Sequence, residues 1–149
     1  MYNPGVEQTI SLPDGRVFTL GRLTVGVLRS WRDWIANRVG DPFAYVEKWL
    51  GKIPEAESLR QLREAEEVRD QLRYFSLGAP LAARMLGTEE GGAQLLYLLL
   101  KASGKHPNAT EDDGLALVLH LAAQQQLGPT LLLAEGTDKV GNPLPPAAS

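Results

Sequence analysis

Two histidines, six serines, a few acidic doublets and three tryptophans are the side chains from which this chain could build chemistry. His106 sits in a Gly-Lys-His-Pro turn with Asp112 and Asp113 a few residues on, while His120 sits among leucines. Neither falls in a His-x-x-x-His or His-Glu spacing, so no pair of ligands is delivered to one helix face and no metal site is assigned. None of the serines lies in a Gly-x-Ser-x-Gly elbow, and Ser103 is not coupled by spacing to a base and its orienter. Glu89-Glu90 and Asp112-Asp113 open helical patterns, where carboxylates favour the positive end of the helix dipole without forming an acid–base pair. The Gly87-Thr-Glu-Glu-Gly-Gly stretch lacks the lysine of a phosphate loop, and its glutamates would repel phosphate. Cysteine is absent, which excludes disulfides, thiol catalysis and thiolate metal sites. The expectation is a non-enzyme with no catalytic, metal-binding or cofactor-binding residues.

The tryptophans remain. Trp31, Trp34 and Trp49 fall within nineteen residues, a density that suits either a core between two short helices or an aromatic docking surface. Arg29, Arg32, Arg38, Lys48 and Lys52 flank them and could be arranged as a DNA-facing set. That arrangement needs a recognition helix with polar base-reading residues, whereas the second of these helices presents Phe, Ala, Tyr, Val, Glu and Trp. The charge balance also argues against nucleic acid. Residues 1–52 carry seven Lys/Arg against five Asp/Glu, residues 53–101 six against eight, and residues 102–149 two against five.

The elements that must position these residues follow from hydrophobic period and punctuation. Residues 8–12 and 16–20 alternate around Pro13-Asp14-Gly15, which predicts a hairpin over 8–20 with Ile10, Leu12, Phe18 and Leu20 on one face. Thr24 caps a predicted helix to about Asn37 whose apolar side holds Val27, Leu28, Trp31, Trp34 and Ile35, with Arg29, Arg32 and Asp33 mostly outside it. Asp41-Pro42 opens a short helix closed by Gly51, and Pro54 opens the longest, about 55–76, with Leu62, Ala65, Val68, Leu72 and Phe75 as its stripe. Shorter helices follow over 81–86, from Thr88 into the apolar run 95–100, from Thr110 with Asp113 as a capping box, and over 127–134. The apolar run is far below the roughly 18 residues of a membrane span, so no membrane segment is expected. The fold class is mainly α: a small multi-helix domain over 8–134 with a short N-terminal β-hairpin, between flexible ends at 1–7 and 135–149. The first residues have no basic or apolar leader pattern, which makes the cytoplasm the expected location.

The element order, with Phe18-Thr-Leu-Gly-Arg-Leu-Thr24 leading into a helix and Leu95 to Asp113 joining two more, resembles the tail assembly chaperones of long-tailed bacteriophages. The resemblance covers about Val17 to Ala134. It implies a helical, non-enzymatic protein of the host cytoplasm that holds the tape measure protein and helps recruit tail tube subunits. A groove for such a client is expected to use Trp31, Trp34, Tyr45 and Trp49, rimmed by Arg29 and Arg32, and a homo-oligomer could shield it. A structural head-tail connector or tail completion protein, and a DNA-binding regulator, are the competing readings.

Overall fold

The computed structural model describes residues 5–135, and the architecture is mainly α with an antiparallel N-terminal hairpin. Strand β1 (Gln8–Ser11) pairs with β2 (Val17–Leu20), Ile10 opposite Phe18, and the Leu12 N–H donates to the Arg16 carbonyl at 2.8 Å to close the turn. Gly15 sits there at φ +93°, a conformation that a Cβ disfavours. Leu12, Phe18 and Leu20 are buried, and Ile10 packs half-buried beside them, so the face expected from alternation is the one laid on the helices.

Helix α1 (Val25–Val39) begins at Thr24, whose hydroxyl accepts from the Val27 N–H, and ends at Gly40, φ +70°. Val27, Trp31 and Ile35 recur every four residues and are buried. Next come α2 (Ala44–Trp49), closed by Gly51 at φ +81°, and α3 (Glu55–Arg73) after Pro54. Asp41 accepts from the Phe43 N–H at 2.9 Å, which makes a turn ahead of α2; the helix itself starts without a side-chain cap. Helix α4 (Pro80–Leu86) leads into α5 (Glu89–Ala102), which is followed by α6 (Glu111–Ala123) and α7 (Leu127–Glu135).

Helix α5 is the centre. It contacts α1, α4, α6 and β2, and this is why its sequence is apolar on several sides and buries Leu95, Leu96, Leu99 and Leu100 completely. Its approach to α6 is close enough that a Cβ at Gly114 would lie 2.2 Å from the Ala93 carbonyl oxygen, well inside contact distance. The expected capping box is formed: the Asp113 N–H donates to Thr110 Oγ1, and the Thr110 N–H donates to the Asp113 carboxylate at 3.0 Å.

Of the two ends expected to be flexible, residues 5–7 are within the described residues. There the Val6 N–H donates to the Leu133 carbonyl at 2.9 Å, and the Leu23 N–H donates to that of Ala134 at 2.9 Å, so α7 is held by the chain's first segments. Residues 1–4, and all of the expected tail except Glu135, lie outside the described residues.

Candidate partner-binding surface

The six residues expected to form one groove are distributed over different environments. Trp31 is fully buried, donates its indole N–H to the Gly91 carbonyl at 3.0 Å, and meets Phe75 edge-on with ring centroids 5.6 Å apart. It is a core residue and cannot touch a partner, a correction that follows from its shared face with Val27 and Ile35. Arg32, expected on the rim, is also buried, at 7% exposure. Leu28 and Ile35 lie four residues before and three after it, so they share its side of the helix and draw its aliphatic stem inward. Its guanidinium lies 3.3 Å from Asp33, and Nη1 has no hydrogen-bond partner. Arg29 is exposed, as expected. The backbone of Tyr45 lies in α2; its side chain lies outside the described residues.

Trp34 is half-buried and forms one wall of a cleft of about 400 Å³ between α1 and the first turns of α5 and α6. Ala93 and Leu115 complete the apolar lining, while Glu89, Glu90, Glu111 and Asp112 bring carboxylates to it. Arg38 lies with its guanidinium 5.0 Å from the centre of the Trp34 ring and pairs with Glu90. Of the acidic doublets read as helix-start residues, Glu89, Glu90 and Asp112 thus share a cleft, whereas Asp113 completes the capping box with Thr110; α5 is capped by Thr88, which accepts from the Gly91 N–H at 3.0 Å. Arg38 was not singled out as a companion of Trp34, although its position four residues later is the signal that could have found it.

Trp49 belongs to a different surface. It is 36% exposed at the end of α2, with the Lys52 ammonium 5.9 Å from its ring centre. Leu50 beside it and Leu59 in the second turn of α3 are about half exposed, at 49% and 53%. This arm, α2 packed on α3, is fastened by few apolar contacts: α2 buries Val46, and the nineteen residues of α3 bury only Ser58 and Ala65. Arg69 of α3 lies over the Phe43 ring at 5.0 Å. On the outer side of α3, Arg60 bridges Glu57 and Glu64; its hydrogen bonds hold the Glu57 carboxyl below its ordinary value, with Gln61 adding to the effect. Such exposed pairs contribute little to stability and mark a solvated face.

Among the described residues, no cluster of His, Asp or Glu side chains could hold a metal ion, and no helix is long and apolar enough to cross a membrane. No family model, no curated protein and no solved structure matches this chain.

Proposed function

We propose that this protein is an assembly chaperone of a long-tailed phage that binds the tape measure protein and assists tail tube assembly, working in the host cytoplasm without catalysis. The observation that carries the reading is the α2–α3 arm. Trp49, Leu50 and Leu59 present large apolar side chains to solvent on two elements that pack against each other. Large apolar side chains exposed on neighbouring elements suit a polypeptide-binding face, and an apolar helical client would cover them. The binding residues are therefore assigned to Trp49, Leu50 and Leu59, with Trp34 and its acidic cleft as a separate candidate.

The DNA-facing alternative has lost most of its cations. Arg32 is buried, Arg38 is engaged by Trp34 and Glu90, and Lys52 lies near the Trp49 ring, which leaves Arg29 and Lys48 as the remainder of the set. A phosphate-binding surface needs several free cations acting together.

Co-expression with the tape measure and tail tube proteins of the same phage, followed by affinity capture, tests the proposal. Capture of either, reduced by Leu50→Ser with Leu59→Ser, is the expected result. Failure to capture either under conditions where all three proteins are soluble would reject it. Mass spectrometry of purified particles separates the chaperone from a connector or completion protein, because only a structural component is present there in stoichiometric amount.

A further inference from the structure

The outer edge of β2 and the residue that follows it carry two backbone donors, of Thr19 and Gly21, that do not pair with β1. The Gly21 N–H donates to the Leu99 carbonyl at 2.9 Å, a partner that does not titrate. The Thr19 N–H donates to Nε2 of His106 at 2.8 Å, reaching from the hairpin to the loop between α5 and α6. The imidazole is held there against the Phe18 ring, with centroids 5.5 Å apart and planes inclined at 58°.

We propose that His106 is a proton-operated latch on this edge: the neutral imidazole accepts from the Thr19 N–H, and protonation at Nε2 releases that one N–H while Gly21 stays paired. An imidazole nitrogen accepts a hydrogen bond only through a free lone pair, and an imidazolium has none, since both nitrogens then carry N–H. The protonated ring would point a donor at the Thr19 donor. Histidine is also the side chain that ordinarily changes charge between about pH 5 and pH 8.

The charged groups on the surrounding elements do not supply an idle counter-ion. From the hairpin, Arg16 lies 5.6 Å from the Phe18 ring centre and pairs with Asp14 at 2.7 Å and Asp113 at 3.4 Å. From the α5–α6 loop, Lys105 pairs with Glu7 at 2.8 Å, and Lys101 at the end of α5 donates to the Pro107 carbonyl at 3.0 Å. Each of these carboxylates is already engaged by another cation. Carboxylates ordinarily protonate near pH 4, below the range in which the latch would open. The sign follows: the Thr19 bond is present at the alkaline end and is lost as the pH falls. An edge so freed presents an unpaired N–H, the feature by which a sheet edge recruits another strand.

Amide hydrogen exchange on the full chain tests this, with Gly21 as the reference on the same edge. Corrected for intrinsic rates, Thr19 protection should fall about tenfold relative to Gly21 between about pH 8 and about pH 5. His106→Gln, whose side-chain oxygen accepts without titrating, should abolish that difference, and His120→Gln should preserve it. Parallel changes at the two amides, or a drop that persists in His106→Gln, would overturn the proposal. Nitrogen shifts of the wild-type ring give a second check that needs no variant: at about pH 8, Nε2 should be the unprotonated nitrogen, and a proton found on it would equally overturn the latch.

Discussion

Helix α5 and helix α3 are both long, yet they use their length in opposite ways. The fourteen residues of α5 bury seven and touch four other elements, whereas the nineteen residues of α3 bury two. Around α5, glycine lets backbones meet: Gly91 packs on the Met85 carbonyl and Gly114 on that of Ala93, each leaving no room for a Cβ. Around α3, charged side chains face solvent and the apolar stripe is only half covered, with Leu62, Val68 and Leu72 partly buried. The difference separates a framework around α5, fixed by packing, from an arm that buries little.

Substitutions sharpen this contrast. Trp31→Ala removes a fully buried indole together with its hydrogen bond to the Gly91 carbonyl, and should cost about 3–5 kcal/mol in denaturant unfolding. Leu59→Ala in the arm should stay within about 0.5 kcal/mol of the parent. Comparable losses from the two would erase the distinction between framework and arm. An effect below that of Trp31→Ala but well above that of Leu59→Ala is expected of Gly114→Ala, which forces a methyl group towards the Ala93 carbonyl: the α5–α6 pair must separate, at a cost of about 2–3 kcal/mol despite the better helix propensity of alanine. An unchanged unfolding midpoint would show that this helix pair is not closely packed.

The smallest effect belongs to Glu135, at the end of α7, whose carboxyl is pushed above its ordinary value by burial. The charged form is therefore less welcome in the folded chain than in the unfolded one. Stability linked to this group is present below its ordinary 4.5 and is lost as the pH rises through the elevated folded value. Glu135→Gln should slightly raise stability at neutral pH and lose that advantage in acid. Urea midpoints measured on both sides of the transition check the sign.

The sequence carried the framework well because its signals are local. Thr24, Thr88 and Thr110 announced three helix starts, Gly51 closes α2 at positive φ, and alternation around Asp14-Gly15 placed the hairpin. The surface was harder to read. Whether Trp31 or Trp34 faces outward depends on which helices pack across α1, and an amphipathic pattern wide enough to include both does not decide it. Arg32 was misplaced for a related reason: its charge argued for solvent, while its helical neighbours Leu28 and Ile35 determined its burial. The gathering of Glu89, Glu90, Glu111 and Asp112 beside Trp34 joins segments far apart in the chain, so no local pattern could announce it.

The central claim is that a client docks on the α2–α3 arm and leaves the α5–α6 framework as it was. Hydrogen-exchange mass spectrometry of the protein alone and with the tape measure protein tests it most directly. The account predicts new protection over residues 44–62, with no change in peptides from α5 and α6. Protection confined to α5 and α6, or no protection in a mixture where a complex is demonstrably formed, would contradict it.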